Sequence, residues 1–233
     1  ALQLMYLQFT APNWNADAFQ LMRRRLEASL ANAEQNPGTL FGERIRAITT
    51  SDHYTSRSLK LADVAALDRQ KMQAYYTARF ANAADFTFFF VGTFKVDEVI
   101  PLLSKYVASL PSTGRATSAF KEAGLVFPAA TVRETVRKGQ EPRSQTVISF
   151  FADTKLDELQ AHRARAATQV LQIRLREILR EQLGGTYSVG VGYSDIAPQA
   201  GYGTVSVQFG SSPENAEPLV RAVLGEKIGR AHV

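Results

Sequence analysis

The chain has 233 residues, no cysteine, a formal charge of +5 and a hydrophobic fraction of 45%. Those values exclude disulfides, thiolate metal sites and a cysteine nucleophile, and they suit a globular protein with one large core or two ordinary ones. No apolar run approaches the ~20 residues that cross a bilayer. Acidic residues are interspersed among the basic ones, so the charge reads as a mixed solvated surface and not as the concentrated basic face of a nucleic-acid binder.

Leu2 to Phe9 reads as the end of a helix, and Thr10-Ala11-Pro12-Asn13 as a turn. Apolar residues at Phe19, Met22, Leu26 and Leu30 predict a helix from Asp17 to about Asn32, stopped by Asn36-Pro37-Gly38. A second helix is expected around Leu40 to Ile48. Leu61 to Ala81 reads as one broken helix or two short ones, with Asp68 as a cap. Phe86 to Gly92 is aromatic and β-branched, which predicts a buried strand. A helix from Val96 to Leu110 follows.

Ser112 to Gly124 has the composition of a linker. Beyond it, strands are expected at Val132–Val136 and Gln145–Phe151, then a long helix from Leu156 to Leu183. Tyr187–Ser194 and Tyr202–Phe209 read as a strand pair joined through Ala197–Gly201. Ser211, Pro213 and Glu214 have the pattern of a capped helix start, giving a helix from Pro213 to about Leu224. The expected class is α+β, an antiparallel sheet with helices on one face. Both ends read as cut, and the tail Lys227–Val233 resembles a translated adapter scar with no part in the fold.

For chemistry, the three histidines, His53, His162 and His232, are far apart and lack the i, i+4 spacing of a helical zinc motif. Gly190-Val191-Gly192 is followed by no helix, so it is not a dinucleotide loop. Alternation puts Tyr187, Val189, Val191 and Tyr193 on one strand face and Ser188, Gly190, Gly192 and Ser194 on the other. Close packing of the long helix is the expected use of that bare face, and a substrate chain is the alternative.

Arg180 and Tyr187 flank a two-glycine stop. An arginine in a last helical turn is favoured by the helix dipole, by ~0.3–1 kcal/mol. A tyrosine opening a strand is often a core edge with a wet hydroxyl. Those roles explain the pair without a function. Alternatively, a guanidinium and a phenol on rigid elements can grip a carbonyl and stabilise an oxyanion. Arg176 lies one helical turn before Arg180.

Phe90-Val91-Gly92-Thr93-Phe94, Val96-Asp97-Glu98-Val99 and the closing Leu110-Pro111 resemble the end of a domain of the pitrilysin/insulinase (M16) zinc peptidases. Arg176-Glu177-Ile178-Leu179-Arg180-Glu181-Gln182-Leu183-Gly184-Gly185-Thr186-Tyr187-Ser188-Val189 is similar to the helix–strand junction of that family's C-terminal half. The likeness is greatest to bacterial periplasmic-type members with four homologous domains. The resemblance implies M16-type (LuxS/MPP-like) domains in two partial repeats: residues 1–111 as the rear of one domain, 112–124 as a linker and 125–226 as the front of the next.

It also implies that Arg180 holds a substrate carbonyl and Tyr187 donates to the oxyanion. The family's HxxEH motif is missing, so Zn2+ and its ligands would belong to a separate N-terminal half, in the same polypeptide or another subunit. A peptide substrate and a periplasmic or secreted location follow from the likeness. This piece alone is then expected to be inert. A non-catalytic M16-like scaffold or peptide-binding subunit is the alternative.

Overall fold

The computed structural model describes residues 1–33, 35–153, 157–195 and 201–226. The tail from Lys227, the start of the long helix at Leu156 and most of the Ala197–Gly201 connection lie outside the described residues. The chain forms two compact units. One comprises residues 1–35 and 59–121, the other residues 36–58 and 122 onward.

The first unit is helical: α1 (Leu2–Thr10), α2 (Ala16–Ala33), α4 (Leu61–Ala65), α5 (Arg69–Phe80) and α6 (Val96–Tyr106). The Leu61–Ala81 stretch is therefore two helices. Asp68 caps the second by accepting from the Lys71 amide at 2.9 Å. Aromatic rings pack within it, with Phe9 4.9 Å from Phe80 and 5.0 Å from Phe86, and Tyr76 stacked on Phe80 at 4.1 Å.

Phe86–Gly92 is not a strand in a sheet. Phe86 is extended, and Phe86 and Phe88 reach the Phe9 cluster. Phe89 and Val91, on the alternate side, are 85% and 98% exposed. The period of two is real, but among the described residues no neighbouring strand pairs with it, and a strand needs a ladder partner. The segment after α6 is tied down by polar groups: buried Asn82 donates to the Arg115 carbonyl, and Asp85 accepts from the Thr117 and Ser118 amides.

The second unit holds α3 (Pro37–Thr49), β1 (Ser144–Ala152), α7 (Glu158–Arg176), β2 (Val189–Asp195), β3 (Gly203–Ser211) and α8 (Pro213–Gly225). Asn36-Pro37-Gly38 starts a helix rather than only ending one: the Asn36 side chain accepts from the Gly38 and Thr39 amides, with Pro37 in the first turn. Val132–Val136 carries no ladder either. Side chains hold it instead, through a bidentate Arg44–Glu134 pair at 2.6 and 2.8 Å and an Arg133–Glu217 ion pair. The cap of α8 is Ser212, since Ser211 still belongs to β3.

The sheet is antiparallel, in the order β1-β3-β2. Val189, Val191, Val207, Phe209, Ile148 and Phe150 point to one face. There they meet Leu175, Leu179, Leu219 and Val223 from the helical side. Leu175 and Val207 are fully buried and Leu219 is 1% exposed. Burying each such side chain contributes roughly 1.5–3 kcal/mol. The expected α+β arrangement with helices on one face is what forms.

The glycine face of β2 is the opposite one. Helix packing does not explain it, because the helices cover Val189 and Val191. The side chain nearest Gly190 is that of Gln208 on β3.

Candidate functional site

Arg180 and Tyr187 both lie on the junction between α7 and β2. Asp157 caps α7 by accepting from the Leu159 amide at 2.9 Å, and the last turn carries Arg174 and Arg176, which suits the dipole. The helix does not run on as α to Leu183. From Glu177 to Gln182 it widens into a π turn, with the Leu183 amide donating to the Ile178 carbonyl at 3.0 Å. Single π turns occur often at functional sites. Here Leu179, fully buried, anchors the turn in the core while Arg180 projects outward. The wider winding also takes Arg180 off the strict α-helical register with Arg176.

The chain reverses at the two glycines. Gly184 has φ +59°, the left-handed conformation that ends helices and that only glycine adopts without strain. Gly185 passes so close to α8 that an added Cβ would sit 2.8 Å from Leu219 Cδ2. Hydrogen bonds from the Gly184 amide to Arg180 O and from the Gly185 amide to Leu179 O close the bracket.

Tyr187 does not open the strand. It precedes β2 by two residues, and its side chain is 96% exposed. A core-edge role for this ring is thereby removed. Thr186, just before it, is buried at 7%, Ser188 just after it is exposed, and Val189 is buried at 5%. The Thr186 hydroxyl donates to the Ser188 carbonyl at 3.0 Å and accepts from the Ser188 amide at 3.3 Å. Thr186 was not singled out from the sequence. The only available signal was a hydroxyl two residues before another polar residue, as in a Ser/Thr turn.

The electrostatic setting separates Arg180 from its neighbours. Arg174 pairs with Glu226 at 2.9 Å, and Arg165 lies 3.8 Å from Asp195. The hydrogen bond to Glu226 and its charge raise the Arg174 pKa. Among the described residues no carboxylate pairs with Arg180, and no group bonds the Tyr187 hydroxyl. Among the described residues, a guanidinium and a phenol without partners thus sit on one reversed segment. They can offer hydrogen bonds to a carbonyl or an oxyanion.

Among the described residues no group of three His, Cys, Asp or Glu side chains could hold an ion. The His53 ring is engaged by Thr55 Oγ1 and the Ala123 carbonyl, at 2.7 and 2.9 Å, and His162 lies 3.7 Å from Glu158. The described residues do not fit a zinc site. No helix of the described residues is long and apolar enough to cross a membrane.

Residues 66–226 match the family described as the peptidase M16 inactive domain. A zinc protease PQQL-like protein of Arabidopsis thaliana is 24% identical over 244 residues, covering 98% of this chain and 25% of the relative. A probable zinc protease PqqL of Escherichia coli is 26% identical, over 94% of this chain and 23% of the relative. The chain thus spans about a quarter of the length of these relatives.

Among solved structures, the periplasmic protease PqqL from Escherichia coli superposes with a TM-score of 0.74 at 23% identity, over 91% of this chain and 23% of that one. A peptidase M16 inactive domain from Pseudomonas fluorescens gives 0.69 at 18% identity, over 96% of this chain and 54% of that one. These two likenesses concern the fold.

Proposed function

This chain belongs to the peptidase M16 family, to the group described as its inactive domain, and from that membership we propose that it is part of the metal-free half of a zinc metalloendopeptidase. In the complete enzyme it acts on peptides enclosed between two halves. Zn2+ and its ligands belong to the other half, which lies in the same polypeptide or in a separate subunit. Residues 1–111 form the rear of one M16 domain, 112–124 a linker and 125–226 the front of the next. A periplasmic or secreted location is proposed from the likeness to the Escherichia coli protease.

Within that enzyme Arg180 grips the substrate carbonyl, and Tyr187 donates its phenol proton as a hydrogen bond to the tetrahedral oxyanion. The zinc half supplies the activation of water. The carrying observation is exposure beside buried anchors: Tyr187 is 96% exposed next to buried Thr186, and Arg180, with no partner among the described residues, stands beside fully buried Leu179. A donor held in place before the reaction needs no reorganisation as charge develops, which is why such groups are effective.

The test is Arg180→Ala and Tyr187→Phe in the complete enzyme. Each is expected to lower kcat about ten-fold or more, less than or equal to the ~10²–10³ seen when an oxyanion donor is removed. Unchanged turnover in both variants refutes the assignment. If no HxxEH half is encoded with or beside this chain, the pair has no water-activating partner, and a non-catalytic peptide-binding or scaffold role replaces this one.

A further inference from the structure

We infer that Thr186 is a positioning residue for Tyr187, an inference that rests on the oxyanion role just proposed. Tyr187 projects from the chain with almost no packing on its ring. Its direction is therefore set by the backbone on either side. On one side the chain is pinned at Val189, 5% exposed in the core, and by the ladder of β2 with β3, in which Val189 faces Phe209. On the other side it is pinned at Gly185, against Leu219. Thr186, Tyr187 and Ser188, between those two pins, would still be free to rotate.

The Thr186 hydroxyl removes that freedom. It donates to the Ser188 carbonyl and accepts from the Ser188 amide, so one oxygen bridges across Tyr187. Thr186 itself is 7% exposed, which keeps the hydroxyl from swinging into water. Branching at Cβ adds to the effect, because threonine has restricted χ1 freedom. The result is a short clamp whose only exposed ring is the phenol that is to meet the substrate. Thr186 touches neither substrate nor oxyanion in this scheme. It acts through the placement of Tyr187.

The consequence is kinetic and specific. A misplaced donor weakens an interaction made in the transition state, so kcat falls while KM stays. The experiment is a cycle of Thr186→Val and Tyr187→Phe in the complete enzyme, with Thr186→Ser alongside. Valine keeps the branched shape and removes the hydroxyl. It is expected to lower kcat roughly ten-fold, since displacements near 1 Å can cost up to ~10²-fold. Thr186→Ser is expected to recover most of that loss. In the Tyr187→Phe background, Thr186→Val is expected to cost less than about two-fold, because the donor it placed is gone.

The two ideas fail in different ways. If Tyr187→Phe leaves kcat unchanged, the oxyanion role fails and the positioning role goes with it. If Tyr187→Phe lowers kcat but Thr186→Val does not, or does so equally in both backgrounds, only the positioning role is overturned. A loss of rate that Thr186→Ser fails to recover overturns it as well. Should Thr186→Val not fold, the serine variant still decides between the hydroxyl clamp and a purely steric part: serine keeps the clamp and loses the methyl, so a ten-fold fall in its kcat refutes the clamp.

Discussion

Gly185→Ala isolates the close approach on which the junction depends. Gly185 is outside the left-handed region, so the substitution tests space rather than backbone conformation. The new methyl would lie 2.8 Å from Leu219 Cδ2, 3.0 Å from Cδ1 and 3.2 Å from Cγ. Leu219 is 1% exposed and packs among Leu175, Leu179 and Val223, so it has no open space into which to turn. Overpacking of this kind costs ~1–3 kcal/mol. The lost freedom of the unfolded chain offsets ~0.4–1 kcal/mol. The net loss is then about 1–2 kcal/mol.

Amide exchange in β3 is the assay, because that strand is central in the sheet and carries fully buried Val207. The only tryptophan, Trp14, belongs to the first unit, and its fluorescence does not read this core. Exchange is expected to accelerate ~5–30-fold, the factor equivalent to 1–2 kcal/mol. Leu219→Ala provides the relief. It costs ~2–5 kcal/mol alone, and in its background Gly185→Ala is expected to be neutral or stabilising. Equal acceleration in both backgrounds, or none in the parent, refutes the steric account. Gly184→Ala is the control: nothing lies within 4 Å of its added Cβ, and its cost comes from φ +59° alone, at ~1–2 kcal/mol.

Two further predictions follow from polar contacts. The Ser118 and Thr117 amides hold the Asp85 carboxyl down at about 2, against an ordinary value of 3.8. A depressed folded-state pKa gives stability that is complete above 3.8 and is lost as pH falls through 2. The tie between Asp85 and residues 117–118 is expected to release in that window, and Asp85→Asn to abolish the dependence; carboxyl carbon shifts that titrate near 3.8 would contradict it. Tyr202, 5% exposed, donates to the Thr49 carbonyl at 2.5 Å. Tyr202→Phe is expected to cost ~1–3 kcal/mol by leaving that carbonyl without its donor, read as a lower urea midpoint for the second unit.

Local pattern made several elements legible before any tertiary contact was known. The alternation Val189, Val191, Tyr193 against Gly190, Gly192, Ser194 separated the two faces of β2, because side-chain period in a strand is set by the backbone alone, but the helices cover the valine face and not the glycine face expected to receive them. Asp68 as a cap and Pro213 as a first-turn residue were readable for the same reason: their partners lie within one helical turn. The family likeness of the Arg180–Tyr187 junction was readable because its residues are contiguous.

Other features needed the packed chain. Phe86–Gly92 has strand composition and strand alternation, yet pairing is a property of a neighbour and not of the segment. Asn36-Pro37-Gly38 is compatible with stopping one helix or starting another, and only the Asn36 side chain meeting the Gly38 and Thr39 amides decides it. The π turn at Glu177–Gln182 has no sequence signal, and it is seen only in the folded chain, where it sets Leu179 fully buried in the core. What the sequence by itself determined was which residue types stand at the junction and in what order. That Gly185 lies against Leu219, that Thr186 is buried and Tyr187 exposed, and that Arg180 has no partner among the described residues were decided by long-range packing, which brings together residues that no local window contains.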